Sequence, residues 1–466
     1  LKVDPSRKII LGKVEITFLL EEQPKNFEFD LIDSLRVSEV SINEMTLSFY
    51  QKSNKIMISN PGFETGKTHR ALIKYGGEPP VAKNPPWVGG FSWEKSEDGR
   101  PWVGVSCQAN GAYIWYPCKE HPSDKSNGAK ISITVPEPLV VASNGLLISV
   151  ESVGNKWKTW TWKTQYSISP YNINFTVGNF KKVEKTIYLI DKPLNLVYYV
   201  LPESMYGAKT LLNEAEKYLK FYVGHFGQYP WIQEKFGLVE TPYWGMEHQT
   251  INAYGNKYKK TQLGYDFLLF HEMGHEWWGN YLSVGDWSDF WIHEGFAVYS
   301  EALFIEEKFG IDEYNSFFKK NLLKKIPQYK PIVLDRNATM KQVAGLDPYY
   351  KGAFVLHMLR YLIGDEDFFK VTKEFLHSKK KAPDNQVMTS DFVDIVHNTI
   401  GENIDWFFEV YLYEKKYPIL IKGINHGSNH TFVELSWINK GFSMPVEVFY
   451  KSNTGFTQKK LVITNE

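Results

Sequence analysis

The chain has 466 residues, of which 43% are hydrophobic and 16% aromatic, enough apolar material for two or three domains with sizeable cores. Its 53 basic residues balance its 53 acidic residues, so the formal net charge is zero, and no long basic run indicates nucleic-acid binding. No stretch approaches about 18 consecutive apolar residues, so the sequence predicts no membrane span.

The first part of the chain, up to about residue 190, carries the alternating pattern of β-strands. Apolar and polar residues alternate around Val14, Ile16 and Phe18, and again from Ile131 to Val135. The stretch from Gly76 to Gly104 is dense in Pro, Gly and Trp, which predicts a long loop over a sheet edge. We therefore expect an N-terminal β domain.

From about residue 195 the spacing of apolar residues becomes helical. A helix that starts at Ser288 or Asp289 is expected to end at Phe309, before Gly310. After Pro418 the alternation typical of strands returns. The other predicted helices are Lys209–Val223, Thr261–Trp278, Lys351–Ile363, Asp365–His377 and Asp391–Thr399.

A metal site is predicted by the five residues His271-Glu272-Met273-Gly274-His275. Two histidines four residues apart lie on the same face of a helix, so both imidazoles can bind one cation. A catalytic zinc keeps three protein ligands and one open position for water. Glu272 points away from the two histidines and can act on that water as a general base.

The third ligand is expected to be a carboxylate, and Glu294 is the obvious choice. Glu301 follows seven residues later and so lies on nearly the same helical face. It can accept a hydrogen bond from a ligand histidine, although a solvated helix residue explains it about as well. The two histidines could instead be ordinary core residues, but that interpretation leaves Glu272 unexplained.

These residues resemble the aminopeptidase N family of zinc metallopeptidases, the gluzincins that also include leukotriene hydrolase. The family pattern is His-Glu-x-x-His, eighteen residues, then Glu, and this chain reproduces the count. The other matching segments are Cys107-Gln108-Ala109, Pro117 to Ser123, Ser143-Asn144-Gly145, Gly245-Met246-Glu247-His248, Trp277-Trp278-Gly279-Asn280, Glu294-Gly295-Phe296-Ala297 and Tyr349-Tyr350-Lys351-Gly352. The resemblance spans most of the chain.

The resemblance implies an α+β multidomain fold. It implies an antiparallel, saddle-like β-sheet domain over residues 1–192 and a thermolysin-like α/β zinc catalytic domain over 193–417. Residues 418–466 are expected to form the start of a small β-sandwich, which in this family is often followed by a helical domain that covers the cleft.

The resemblance also implies roles for individual residues. Glu247 would pair with the free α-ammonium of a peptide, which makes the site that of an exopeptidase. Gln108 would assist at the amine, and Gly245 and Met246 would line the substrate position. Tyr349 would donate its hydroxyl to the oxyanion that forms when water attacks the carbonyl. One zinc ion per chain is implied, with peptides that have a free N-terminus as substrates.

Four positions depart from the family pattern. Trp244 stands where relatives have a small residue, which leaves the shape of the substrate pocket open. His248 and His293 replace asparagine, and Glu276 follows the second ligand where glutamine is common. His293 is expected to lie about 100° around the helix from Glu294, so neither extra histidine is predicted to bind zinc.

Two alternatives to an aminopeptidase remain. The same zinc site could serve an epoxide hydrolase or an endopeptidase, or the fold could bind peptides without catalysis. Only Cys107 and Cys118 are present, so cysteine content does not diagnose a redox compartment. The compartment stays open between the cytoplasm and export after removal of a signal peptide, and the oligomeric state is not predicted.

Overall fold

A computed structural model of the chain describes residues 1–108, 111–379, 385–428, 431–452 and 455–463. The described residues up to 281 form one compact unit, and those from 282 onward form a second. The strands of the first unit are β1 Lys2–Asp4, β2 Ile9–Leu19, β3 Asn26–Asp30, β4 Leu35–Ile42, β5 Met45–Thr46, β6 Phe49–Lys52, β7 Lys55–Ser59, β8 Thr68–Gly77, β9 Gly90–Lys95, β10 Pro101–Ser106, β11 Ala129–Pro136, β12 Val140–Ser143, β13 Leu146–Ser152, β14 Trp157–Thr164, β15 Phe175–Gly178, β16 Lys181–Leu189, β17 Lys192–Val200, β18 Lys235–Glu240, β19 Gly245–Met246 and β20 Asn252–Tyr254. Its helices are α1 Met205–Phe226 and α2 Phe267–Gly274.

The N-terminal part of the first unit is built from antiparallel sheets, as the alternating pattern predicts. An eight-stranded sheet has the order β13-β14-β11-β1-β2-β8-β4-β5, with one parallel pair, β1 and β11. In its centre Val14 pairs with Ile73 and Ile16 with Ala71, and the buried residues of β8 alternate with exposed ones. Two smaller sheets have the orders β12-β15-β10-β9 and β3-β7-β6.

The prediction of one long loop from Gly76 to Gly104 is wrong, because β9 and β10 form a hairpin within it. Two of the glycines that suggested turns are instead positions where another part of the chain approaches closely. A Cβ on Gly89 would lie 2.2 Å from the carbonyl oxygen of Ser106, and one on Gly104 would lie 2.8 Å from the ring of Tyr243. Glycine density alone does not separate these two uses.

A five-stranded mixed sheet follows, with the order β16-β17-β18-β20-β19. The pairs β17–β18 and β18–β20 are parallel, whereas β19 runs antiparallel to β20 and forms the edge of the sheet. The edge strand consists of Gly245 and Met246 and is followed directly by Glu247. The helix α2, with the predicted metal-binding histidines, comes next in the chain.

The predicted helix Thr261–Trp278 is wrong at both ends, since α2 covers only Phe267–Gly274. Its start is set by the side chain of Asp266, which accepts a hydrogen bond from the amide of Leu269 at 3.1 Å. Beyond Gly274 the chain continues in tight turns. The apolar periodicity extends through those turns, which explains the overestimate.

The second unit is mainly helical. Predicted helices 351–363, 365–377 and 391–399 are confirmed within two residues, and the helix predicted to end at Phe309 does so. Its helices are α3 Trp291–Phe309, α4 Ile311–Ser316, α5 Met340–Val343, α6 Gly352–Ile363, α7 Asp365–His377, α8 Thr389–Ile400 and α9 Asp405–Phe408. Its strands are β21 Ser283–Val284, β22 Gln386–Val387, β23 Leu420–His426, β24 Thr431–Trp437, β25 Pro445–Ser452 and β26 Gly455–Val462.

After Pro418 the chain forms two antiparallel hairpins, β23–β24 and β25–β26. Residues 429–430, 453–454 and 464–466 of the predicted third domain lie outside the described residues. The domain boundaries at 192 and 417 stay predictions. Across the described ranges, none of the helices combines the length and the apolar character that a membrane span requires.

Candidate active site

The helix α2 is anchored at its start by a buried polar cluster. The carboxylate of Asp266 accepts hydrogen bonds from the hydroxyl of Tyr254 at 2.5 Å and from the amide of Asn256 at 2.8 Å. Its own amide donates to the hydroxyl of Tyr218 on α1. A cap of this kind satisfies an amide that the first turn of a helix leaves without a partner. The start of α2 is therefore fixed by residues from α1, from β20 and from the turn after β20.

His271 and His275 converge at the end of α2. Their Nε2 atoms lie 3.2 Å apart, with ring planes at 87°. The Nδ1 atom of His275 lies 2.9 Å from the carbonyl oxygen of Trp278. Because a carbonyl only accepts, Nδ1 carries the proton, and Nε2 presents its lone pair toward His271. Such a backbone partner orients a metal-binding imidazole.

Two side chains of the first unit fit a zinc ion. His271 and His275 are buried, and Glu294, the predicted third ligand in the second unit, is buried as well. Two nitrogens bound to one tetrahedral zinc at about 2.0–2.1 Å lie about 3.3 Å apart, close to the spacing of the two Nε2 atoms. A nitrogen pair with a buried carboxylate is also the donor set that catalytic zinc prefers.

A second group in the first unit contains Glu247, Glu272 and His275, whose ligand atoms also lie within 4.8 Å of one another. Gly245 makes room for it. A Cβ at this position would lie 2.4 Å from Oε1 of Glu272 and 2.5 Å from Cδ1 of Leu268. A larger residue at 245 would therefore displace the Glu272 carboxylate. The backbone of the edge strand β19 therefore lies against the side chain of Glu272. Glu247 is the residue that directly follows this strand.

The segment that follows β19 is held by asparagines. Asn280 donates to the carbonyl oxygen of Glu247 at 2.9 Å, and Asn172 donates to Oδ1 of Asn280 at 2.7 Å. Asn144 donates to the carbonyl oxygen of Gln249 at 2.6 Å. These contacts explain why the Ser143-Asn144-Gly145 and Trp277-Trp278-Gly279-Asn280 segments accompany the metal motif. Sequence reasoning noted both segments but gave them no role.

Glu276 was noted only as a departure from the family pattern, yet it joins several parts of the site. Its buried carboxylate accepts hydrogen bonds from the amide of Thr250 at 3.0 Å and from Nε1 of Trp231 at 2.8 Å. It also accepts from Asn252 at 3.1 Å and from Asn280 at 3.2 Å. Burial raises the pKa of Glu276 to about 7, although all four donors favour its charged form. No periodic signal marks such a residue.

In the second unit, Glu294 lies in the first turn of α3. Two glycines set how closely this turn approaches α6. A Cβ on Gly295 would lie 2.9 Å from Cα of Gly352, and a Cβ on Gly352 would meet Gly295 at the same distance. Both glycines belong to segments that match the family. The sequence showed that both segments match the family, but it did not predict the contact between the two glycines.

Other predicted residues are placed as follows. Glu301 is buried on α3. Tyr349 is partly buried in a π-helical turn, Asp347–Lys351, and its ring contacts Phe290 with the centroids 6.3 Å apart. Met246 is buried in β19, and Gln108 is partly buried just beyond the end of β10.

The two additional histidines lie in surroundings that differ from those of the metal pair. Nε2 of His293 accepts a hydrogen bond from the amide of Val284 at 3.0 Å, which occupies one of its two ring nitrogens. His248 is buried, and burial lowers the pKa of its imidazole to about 3. Among the described residues, neither belongs to a group of potential ligands.

Comparison with known proteins gives two family matches along the chain. The model of the Peptidase M1 N-terminal domain matches residues 1–172, and that of the Peptidase family M1 domain matches residues 211–411. Aminopeptidase M1-B of Oryza sativa is 26% identical over 377 residues, which is 76% of this chain and 41% of that protein. The chain thus spans about two fifths of the length of this relative.

Solved structures share the fold. An M1 zinc metallopeptidase from Deinococcus radiodurans superposes with a TM-score of 0.74 at 22% identity, covering 90% of this chain and 93% of that one. A mutant of that enzyme, solved with a Tyr-Ser-Ala substrate, gives a TM-score of 0.74 at 21% identity, with the same coverage. The fold, the order of the motifs and both family matches agree. The chain therefore belongs to peptidase family M1, the aminopeptidase N family of zinc metallopeptidases.

Proposed function

We propose that the chain is a zinc-dependent aminopeptidase that hydrolyses the first peptide bond of peptides with a free N-terminus. The observation that carries this proposal is that, within the first unit, His275 is close to both His271 and two carboxylates. Its Nε2 lies 3.2 Å from Nε2 of His271, a spacing suited to zinc, and its ligand atom also groups with the carboxylates of Glu272 and Glu247. A zinc ion, a general base and a carboxylate that binds the amine would then all lie close to His275.

In this proposal His271, His275 and Glu294 hold one zinc ion. When bound, zinc polarises a substrate carbonyl and lowers the pKa of a water molecule to about 7. The contact between His275 and the carbonyl oxygen of Trp278 keeps the imidazole in the tautomer that binds metal. Glu301, buried two turns after Glu294, would accept a hydrogen bond from a ligand histidine.

Glu272 moves the proton. Its carboxylate takes a proton from the attacking water and delivers it to the nitrogen of the leaving amine. Its position depends on the missing side chain at Gly245, because any Cβ there would occupy the space of Oε1. Tyr349 would donate its hydroxyl to the carbonyl oxygen as negative charge develops, a contribution typically worth about 2.7–4 kcal/mol in the transition state.

Glu247 decides which bond is cut. It is buried at the end of the edge strand, where an extended peptide can pair with the backbone of β19. Its carboxylate would pair with the α-ammonium of that peptide, so that only the first peptide bond reaches Glu272. Gln108 would add a neutral hydrogen bond to the same amine. Charge pairing at a buried position makes Glu247 the stronger of the two contacts.

The test is hydrolysis of a leucine anilide and of its N-acetylated counterpart by the purified chain. We expect cleavage of the free amine only, loss of activity with a chelator, and recovery when zinc is added back. Equal cleavage of both would replace the exopeptidase assignment with an endopeptidase. Peptide binding that is unaffected by chelation, without hydrolysis, would support a non-catalytic binding protein.

A second measurement separates the two contacts to the amine. Glu247→Ala should reduce kcat/KM for a leucine anilide by a larger factor than Gln108→Ala, because it leaves an ammonium without its counter-charge. The reverse order would overturn the assignment of Glu247.

A further inference from the structure

Two exposed tryptophans lie beside the edge strand in the first unit. Trp244 directly precedes β19 and is 42% exposed, and Trp87 is 48% exposed. Their ring centroids are 6.1 Å apart, with the planes tilted by 41°. A tryptophan whose only role is to fill a hydrophobic core is buried. Two exposed tryptophans in contact with each other therefore call for another explanation.

The pair continues inward to the predicted metal site. Trp244 stacks on Phe267 with centroids 5.8 Å apart and an interplanar angle of 28°. Phe267 in turn stacks on His271 at 5.5 Å and 22°. Aromatic rings therefore form an unbroken row from Trp87 at the surface to a proposed zinc ligand.

Both tryptophans are held by backbone contacts. The carbonyl oxygen of Trp244 accepts a hydrogen bond from the amide of Gly255 at 2.6 Å. Trp87 lies at the tip of a short loop that is closed by two backbone hydrogen bonds between Asn84 and Val88, at 2.8 and 3.3 Å. These contacts fix the backbone from which both rings project, so less of that backbone has to be ordered when a ligand binds to them.

The order of residues along β19 gives the direction of a bound peptide. Glu247 would bind the amine, and Gly245 lies against Glu272. A peptide whose N-terminus is at Glu247 therefore runs toward Trp244. Three residues of extended chain span about 10 Å, so Trp244 lies as far from Glu247 as the second or third peptide residue lies from the amine.

We propose that Trp87 and Trp244 form an aromatic shelf that binds the second and third residues of the peptide and favours aromatic side chains there. The proposal rests on the proposed function, because Glu247 sets where the peptide begins. It adds a preference on the leaving-group side of the bond. This preference depends on the residues at 87 and 244, whose rings are in contact.

The test compares Leu-Phe-Ala with Leu-Gly-Ala as substrates of the zinc-loaded chain. We expect the wild type to bind the phenylalanine peptide more tightly, with a KM lower by about 3- to 10-fold, the range of one aromatic contact. Trp244→Ala and Trp87→Ala should remove most of this difference by raising KM for Leu-Phe-Ala. The readout is the ratio of the two KM values, because an effect of either variant on the metal site itself would change both peptides alike.

Controls separate a shelf from a general effect. Trp244→Phe should keep most of the preference, and Tyr188→Ala, which removes an exposed aromatic residue from β16 at the opposite edge of the same sheet, should keep all of it. Equal KM values for the two peptides in the wild type would overturn the proposal.

Calorimetry with the Glu272→Gln variant decides the shelf independently of hydrolysis. Tighter binding of Leu-Phe-Ala than of Leu-Gly-Ala, abolished by Trp244→Ala, supports the shelf even if the chain cleaves neither peptide. That combination would reject only the aminopeptidase activity. Equal binding of both peptides would reject the shelf whether or not either is hydrolysed.

Discussion

The helix with the two histidines and the helix with Glu294 are held in their units by different interactions. α2 has 8 residues, and buried polar groups fix both of its ends. Asp266 caps its start, and just past its end Glu276 accepts four hydrogen bonds. α3 has 19 residues, of which those from Trp291 to Ile305 are all buried, and a contact between two glycines brings it against α6.

This difference teaches what each helix tolerates. The stability of a polar cluster depends on which groups donate and which accept hydrogen bonds. Replacing one side chain leaves its partners without a hydrogen bond, even when the new side chain has the same size. A packed helix depends on volume, so that one added methyl group at the closest contact disturbs it. Both helices would nevertheless supply ligands to one ion, which gives a common readout for changes in either.

The largest expected effect is loss of the metal itself. His275→Ala and Glu294→Ala should each lower kcat/KM by more than the 10–100-fold typical of residues that only support a ligand, and each should release zinc. Zinc content after dialysis, measured by elemental analysis, checks this together with the kinetics. His377→Ala, at the exposed end of α7, is the matched control and should retain a full zinc complement. Full zinc in Glu294→Ala would exclude that carboxylate as a ligand.

The volume sensitivity of α3 predicts the next effect. Gly295→Ala places a Cβ 2.9 Å from Cα of Gly352, a contact in which only backbone can yield. We expect destabilisation of about 3 kcal/mol, the upper end for overpacking, measured by denaturant unfolding. Gly285→Ala, with nothing within 4 Å of its new Cβ, is the control and should change stability little. Equal stabilities of the two variants would show that α3 can shift without cost.

The chemical sensitivity of α2 predicts a smaller loss. Asp266→Ala removes the acceptor of three hydrogen bonds, from Leu269, Tyr254 and Asn256, and should cost about 2 kcal/mol. Asp266→Asn keeps one acceptor oxygen of the same shape and should recover part of this loss. The same denaturant titration measures both. If alanine were tolerated as well as asparagine, packing rather than the cap would hold the start of α2.

The same contrast explains what the sequence could predict. α3 was predicted to its last residue because its apolar spacing continues through a long buried helix. The length of α2 was overestimated because the start of the helix is set by the cap at Asp266. The partners of Asp266, Tyr254 and Asn256, precede the helix and contribute nothing to its apolar periodicity. The convergence of His271 and His275 was predictable from motif spacing, since i and i+4 fix a helical face.

Contacts between distant segments were not predictable in this way. The hairpin of β9 and β10 was missed because glycines at close approaches look like glycines in turns. The roles of Glu276 and Asn280 depend on segments that are distant in the sequence and meet only in the folded chain. The pairing of Gly295 with Gly352 links two motifs that the sequence shows only as separate matches. Each of these features is a long-range packing or hydrogen-bonding fact, for which local periodicity carries no information.

The smallest predicted effect is a pH dependence of stability that comes from Glu120, a carboxylate in the first unit. Glu120 accepts hydrogen bonds from the amides of Ala112 at 2.6 Å and Tyr113 at 3.2 Å, just after the segment that holds Gln108. Burial raises the pKa of Glu120 from 4.5 to about 7. An acid with a raised folded pKa contributes stability below its unfolded pKa, and this contribution is lost as pH rises through the folded value.

Between about pH 4.5 and 7, therefore, the wild type should lose stability that Glu120→Gln retains, by about 1 kcal/mol after allowance for partial exposure. Thermal unfolding midpoints at pH 5 and pH 8 measure the difference. Glu151→Gln, an exposed carboxylate on β13, is the control and should leave the pH profile as it is. A variant that loses stability at pH 8 would mean that the charged form of Glu120 holds the amides of Ala112 and Tyr113. The position of these two residues would then rest on a carboxylate that the fold keeps ionised, against the cost of its burial.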